Sequence, residues 1–220
     1  MLHITCIGMG KERLQKCLER AKELGIRNIL ALRGDKGSGE KETDFRYASD
    51  LIRYIRSNYG DYFTIAVAGY PTKHPESQTK EHDLMFLKHK VDAGADFIIT
   101  QLFFESEVFT QFVADCRAIG ITVPIIPGIM PIQNYDSLEK ITRVSQLTIP
   151  EKMLRDLEPI KNNDEAVRNY GIDWTISLCR EIIKSGLAAG IHFYTLNREQ
   201  ATVRIVKALN AESRGPSGLR

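Results

Sequence analysis

Where the apolar runs of this sequence stop, hydrogen-bonding side chains begin. NILAL is followed by Arg33, Gly34 and Asp35, TIAVAG by Tyr70 through Glu76, FIIT by Gln101, and IHF by Tyr194 through Arg198, while Pro127 and Gly128 interrupt the run PIIPGI. The starts of the same runs are poor in such groups. Guanidinium, carboxylate, amide and phenol groups gathered in this way suit the binding of a large, polar, aromatic ligand. Nothing at the spacing of a nucleophile and its base, or of a metal site, accompanies them. His82 and His89 are seven positions apart and read as surface residues, and His74 lies in a loop bounded by prolines. Each candidate also has a plainer reading. Arg33 and Asp35 can pair with one another at a strand end. Tyr70 and Tyr194 can be rim aromatics. Asp83 and Lys90 share a helix face about two turns apart, as a solvated charge pair does. His3 can be a satisfied buried histidine.

The elements that would position these residues alternate along the chain. Leu2 to Ile7 alternates apolar and polar residues up to Gly8, which predicts a strand with no run-up before it. Leu14, Cys17, Leu18, Ala21 and Leu24 carry helical spacing, and Gly25 stands where a helix C-terminal glycine belongs. The pattern repeats through the strands NILALRG, TIAVAGY, FIITQLFF, PIIPGI and IHFYTL, each followed by a helical segment. The fifth helical region, from Ser137 to Gly186, is broken near Pro150 and Pro159. Six strand–helix units result. Near-continuous apolar strands imply burial on both faces, hence a parallel sheet between helices. Gly8-Met9-Gly10 lacks the third glycine of a dinucleotide fingerprint, Gly37-Ser38-Gly39 lies well past its strand, and no P-loop is present. That weighs against an open doubly wound sheet. A (β/α)8 barrel takes eight units and about 250 residues, so six units in 220 residues fall about two short, and the bare strand at residue 2 is where the others would attach.

Composition narrows the function classes. With 43% hydrophobic and 26% charged residues the chain reads as one globular domain. Thirty basic side chains against 28 acids leave a net charge of +2 and no basic stripe, which argues against nucleic acid as a partner. Cys6, Cys17, Cys116 and Cys179 form no C-x-x-C pair and fit a reducing compartment. No apolar run approaches the ~20 residues of a spanning helix, and no signal peptide precedes the first strand. The expectation is a cytoplasmic protein with no membrane partner.

Taken together, the motifs resemble the methylenetetrahydrofolate reductase family. The resemblance runs in register from about His3 to about Leu209, through ALRGD at 31–35, YASDL at 47–51, AGYPTKHPE at 68–76, KVDAGADFIITQLFF at 90–104, IIPGIMPI at 125–132 and HFYTLNRE at 192–199. It implies an α/β fold of the (β/α)8 TIM-barrel family, here about six strand–helix units without the first two. Residues 1–209 would form the partial flavin- and folate-binding barrel, with 210–220 as a polar tail.

The resemblance also implies chemistry. FAD-dependent reduction of methylenetetrahydrofolate to methyltetrahydrofolate by NADPH or NADH would feed methionine synthesis, with a nicotinamide dinucleotide and the folate as partners and a homo-oligomer as the full-length parent. Matching FAD contacts are His3, Arg33, Gly34, Asp35, Tyr47, Ala48, Tyr70, His74, Glu76, Ser77, Asp83 and Lys90. Matching folate contacts are Asp35, Gln101, Gln133, Tyr194 and Arg198. Asp35 would stabilise the cationic iminium of the opening methylene bridge and tune the flavin, and the Gln101 amide can donate to and accept from a pterin at once. No metal is implied. The general-acid glutamate of the family belongs to a segment before His3, and no glutamate in this sequence stands in its place, so the sequence reads as an internal fragment, splice product or truncated gene model. The alternative is a non-catalytic fragment or isoform that retains part of the flavin and folate binding.

Overall fold

A computed structural model describes residues 1–34 and 44–213. In chain order the elements are β1 (Leu2–Thr5), α1 (Lys11–Glu23), β2 (Asn28–Leu32), α2 (Ala48–Tyr59), β3 (Thr64–Gly69), α3 (Lys80–Asp92), β4 (Phe97–Thr100) and α4 (Ser106–Ala118), then β5 (Ile125–Ile126), β6 (Gly128–Ile129), α5 (Tyr135–Ser145), α6 (Glu151–Leu157), α7 (Asp164–Ser185), β7 (His192–Phe193) and α8 (Glu199–Ser213). The strand–helix succession is the α/β order expected, and its paired strands run parallel. Two compact units divide the chain, one of 1–70, 78–100 and 115–125, the other of 71–77, 101–114 and 126–220.

The first unit is built on the sheet in the order β1-β2-β3-β4-β5. Ile29, Leu30 and Ala31 on β2, Ile65, Ala66 and Val67 on β3, and Ile98, Ile99 and Thr100 on β4 are all buried. Runs without alternation are what burial on both faces of a parallel sheet produces, and each such aliphatic side chain contributes about 1.5–3 kcal/mol. β1 differs because it is the edge. Only Ile4 is buried there, while His3 and Thr5 face solvent, so the reading of His3 as a buried histidine does not hold. On α1 the predicted Leu14, Leu18 and Ala21 are buried; Leu24 is exposed because it lies past the last turn, beside Gly25 at φ +70°.

Within the second unit, β6 pairs with β7, and α5 to α8 pack around two apolar clusters. Leu102, Phe104, Ile132, Leu138, Met153, Leu157 and Val167 form one of them. Asn134 and Asn163 cap α5 and α7, their side-chain oxygens accepting from the Ser137 N–H at 2.8 Å and the Ala166 N–H at 3.1 Å. The helical region predicted from Ser137 to Gly186 is interrupted as expected, by the segment leading to Pro150 and by a 3-10 turn at Glu158–Ile160.

β1 ends at Thr5 rather than at Ile7, and three later strands fall well short of the apolar runs. PIIPGI divides into β5 and β6, which lie in different sheets, because Pro127 has no N–H to continue a ladder; its carbonyl accepts from the His192 N–H at 2.9 Å. FIITQLFF stops as a strand at Thr100, since the Leu102 N–H turns to the Gln101 side-chain oxygen at 3.0 Å. IHFYTL keeps only His192–Phe193 as strand. At the other end, α8 continues to Ser213, past the boundary at 209 expected for a tail.

Candidate functional site

Parallel pairing puts the C-terminal ends of β1, β2 and β3 along one edge of the first unit's sheet. Thr5 is level with Leu32, Ala31 with Val67, and Gly69 with Thr100. Arg33 and Gly34 follow β2 there. The Arg33 carbonyl accepts from the Ile7 N–H at 2.9 Å and the Cys6 thiol at 3.4 Å, while its own Nε donates to the Gly34 carbonyl at 3.4 Å. Gly34 has φ +86°, and a Cβ at that position would lie 3.0 Å from the Thr5 Cβ, so only glycine fits the turn that leaves this strand. Asp35, assigned to both flavin and folate by resemblance, lies outside the described residues.

Tyr47 and Ala48 open α2. The Asp50 carboxylate accepts from the Tyr47 N–H at 3.0 Å, which fixes the entry to the helix. Ala48 is buried and the Tyr47 ring is exposed. Asp83 and Lys90 lie on α3, which is capped by Thr79, whose hydroxyl accepts from the His82 N–H at 3.2 Å. Lys90 is turned inward and donates to the Ala68 carbonyl on β3 at 2.6 Å. Burial brings its ammonium down to about 8, with Asp83 acting in the opposite direction. An inward cation at a strand end, with a side-chain-free backbone at Gly34, suits the anionic part of a dinucleotide.

Between Asp83 and Lys90 lies a residue that sequence reasoning passed over. Phe86 is 40% exposed, stacks on Tyr47 with centroids 6.3 Å apart, and sits 4.6 Å from the His82 ring and 6.3 Å from that of His89. The two histidines set aside as surface residues therefore flank an aromatic face. An aromatic one helical step from two candidate ligands was the available signal, and it was missed because an exposed phenylalanine alone carries none.

In the second unit the loop after β3 braces itself. The Glu76 N–H donates to His74 Nδ1 at 3.0 Å, the Ser77 N–H to the His74 carbonyl at 2.9 Å, and Lys73 Nζ to the Ser77 carbonyl at 2.6 Å. Because Nδ1 accepts from a backbone N–H, neutral His74 carries its proton on Nε2. Gln101, Gln133, Tyr194 and Arg198 all belong to this unit as well. The Leu102 N–H identifies the oxygen end of the Gln101 amide, which leaves the NH2 end as donor. Gln133 is half-buried between Ile132 and the α5 cap Asn134. Tyr194 packs against the Leu102–Phe104–Ile132 cluster, and its N–H donates to the Ile129 carbonyl at 2.8 Å. Arg198 is exposed, its N–H donating to the Thr195 carbonyl at 2.8 Å. The four described folate candidates thus gather in one unit. Of the described flavin candidates, His3, Arg33, Gly34, Tyr47, Ala48, Tyr70, Asp83 and Lys90 belong to the first unit, and His74, Glu76 and Ser77 to the second. Among the described residues, no group of three or more His, Cys, Asp or Glu could hold a metal ion, and no helix is long and apolar enough to cross a membrane.

Comparison with known proteins decides the family. The family model described as methylenetetrahydrofolate reductase matches residues 1–210. The chain belongs to the methylenetetrahydrofolate reductase family. A probable methylenetetrahydrofolate reductase (NADPH) of Caenorhabditis elegans is 54% identical over 212 residues, covering 95% of this chain and 32% of that protein. Methylenetetrahydrofolate reductase (NADH) 1 of Zea mays is 45% identical over 223 residues, 95% of this chain and 37% of its own length. The 5,10-methylenetetrahydrofolate reductase of Pectobacterium carotovorum is 37% identical over 207 residues, 94% of this chain and 68% of its own. The chain thus spans about a third of the length of the nematode and maize reductases. Among solved structures, an uncharacterized Clostridium thermocellum protein, described as binding two copies of 5-methyl-5,6,7,8-tetrahydrofolic acid, shares the fold, with a TM-score of 0.65 at 14% identity over 96% of this chain and 73% of that one.

Proposed function

We propose that this reductase-family chain carries the flavin and folate contacts for FAD-dependent reduction of methylenetetrahydrofolate to methyltetrahydrofolate by NADPH or NADH, a step that feeds methionine synthesis. The observation that carries this reading is the family match over residues 1–210, a span that includes every candidate contact. FAD, when bound, supplies the means of accepting a hydride from one substrate and passing it to the next.

The chain's own residues supply binding and orientation. Lys90 and Arg33 meet the anionic part of the dinucleotide, Gly34 lets it approach the backbone, and Asp83 keeps Lys90 charged. His74 belongs to a loop already closed on itself, so little ordering is needed when a ligand arrives. Gln101 turns its amide donor to the pterin, Gln133 adds a second amide, and Arg198 meets the carboxylates of the glutamate end. The resemblance gives the proton for the departing nitrogen to a glutamate that none of the contacts named here matches, so it is not assigned to any of them.

Colour tests the reading. The purified chain, or the chain supplied with FAD, is expected to show a bound-flavin absorption band that shifts when methyltetrahydrofolate is added. A colourless protein that FAD cannot restore, or a flavin band indifferent to folate, overturns it.

A further inference from the structure

The segment that carries Gln101 has left the sheet. β4 ends at Thr100, and residues 101–105 lead to α4 without pairing as a strand. Leu102 and Phe104 are buried in the first apolar cluster of the second unit, but apolar contact is non-directional and does not fix how a peptide plane is turned. Polar contacts do that. At one end the Gln101 Oε1 accepts from the Leu102 N–H at 3.0 Å, and at the other the Phe104 carbonyl accepts from Trp174 Nε1 at 2.9 Å, across 70 positions of sequence. An indole N–H can only donate, and the carbonyl of a buried residue needs a donor, so each group meets the other's requirement.

Trp174 is itself held for this bond. On α7 the Tyr170 ring lies one turn before it, with centroids 5.9 Å apart, and α6 brings the Lys152 ammonium to 5.7 Å from the indole ring. Asp156 closes the set, its Oδ2 accepting from Lys152 Nζ at 2.6 Å and from the Tyr170 hydroxyl at 3.0 Å. Two ring contacts and two hydrogen bonds thus give the indole one orientation. Volume alone does not call for a tryptophan here, because the residue packs against the cluster from a half-buried position. Its N–H is what a phenylalanine or leucine would lack.

We propose that Trp174 is a positioning residue for the folate, which by holding the Phe104 carbonyl sets the direction of the Gln101 amide. The inference rests on the folate reading of Gln101. Trp174 is the one tryptophan of the chain, so a tryptophan auxotroph supplied with 3-benzothienylalanine replaces this indole alone with a ring of nearly the same shape and no N–H. 5-Fluorotryptophan replaces it with the N–H kept, and Trp174→Phe is a second form without it. Calorimetric affinities for FAD, and for methyltetrahydrofolate on the FAD-supplied chain, are read for each, with and without Gln101→Ala. Loss of the N–H is expected to weaken methyltetrahydrofolate about three- to tenfold, the worth of one net hydrogen bond, with FAD affinity held within about twofold. The fluorinated chain should match the parent. In the Gln101→Ala background, loss of the N–H should cost nothing further, since the two residues act as one. Unchanged folate affinity without the N–H, equal weakening of FAD and folate, the same loss with Gln101 already gone, or failure of both N–H-free forms to fold overturns the proposal. A parent chain that binds FAD but no methyltetrahydrofolate overturns the folate reading itself, and this inference with it.

Discussion

Lys90 is the residue at which a bound dinucleotide should make itself felt. Its ammonium is turned inward onto the Ala68 carbonyl and titrates at about 8 in the free chain. Only the protonated form attracts an anion, so FAD affinity should be constant below pH 8 and fall as pH rises above it, by up to about tenfold per unit, with one proton taken up on binding in that range. Titration of FAD fluorescence from pH 7 to 10 checks this, and a flat profile contradicts it. Lys90→Met should weaken FAD roughly ten- to a hundredfold, the worth of a charge-assisted hydrogen bond, while leaving the FAD-free protein as stable or more so, because a poorly solvated charge is gone. Loss of folding in Lys90→Met would show instead that the ammonium is a structural tie between α3 and β3.

At the scale of elements, α7 is held close to the loop that bears Gln133. A Cβ on Gly171 would lie 2.6 Å from the Ile132 carbonyl oxygen and 2.7 Å from its Cβ. Gly171→Ala gains up to about 1 kcal/mol of helix propensity but must displace backbone, at a cost of about 1–3 kcal/mol or more. The expected outcome is a lower thermal midpoint together with weaker folate binding through the displaced Gln133; a variant as stable as the parent contradicts so close an approach.

The same elements show what could be read in advance. β2 and β3 were legible because burial on both faces leaves an unbroken apolar run, and α1 because one buried face leaves a 3.6-residue period. The division of PIIPGI was not, since apolarity is the same on either side of Pro127 and only the missing N–H changes partners. Nor was the end of β4, where the Gln101 side chain takes the next backbone N–H. Arg33, Gly34, Gln101 and Tyr194 were legible as strand-end polar groups, but the aromatic face around Phe86 depends on α2 and α3 lying side by side, which spacing within one helix cannot reveal.

Across the whole molecule, burial pushes Cys116 in the first unit and Cys179 in the second up to about 12, from an ordinary 9.0. A thiol whose native value is raised contributes stability that is fully present below about pH 9 and is lost as pH rises toward 12, because only the unfolded chain can release the proton. Thermal midpoints should therefore decline above pH 9, and more gently in a Cys116→Ala/Cys179→Ala variant; identical slopes would contradict the assignment. β1 is the edge of its sheet, with His3 and Thr5 exposed, and such an edge favours association. Sedimentation should show concentration-dependent self-association of the 220-residue chain, and a strict monomer at every concentration would contradict it.

The most direct measurement follows the flavin through both halves of the reaction. The FAD-supplied chain is mixed anaerobically with NADPH or NADH, and the reduced protein then with methylenetetrahydrofolate. Flavin and folate contacts within these residues predict that the nicotinamide bleaches the flavin and that the folate restores its colour. General acid catalysis is worth about 10²–10⁴-fold, so the second step should run slower by about that factor than in a chain joined to a segment bearing the family's glutamate. A flavin that no nicotinamide bleaches would contradict the central claim, and folate reduction at full speed by these 220 residues alone would contradict the assignment of the proton to a residue outside them.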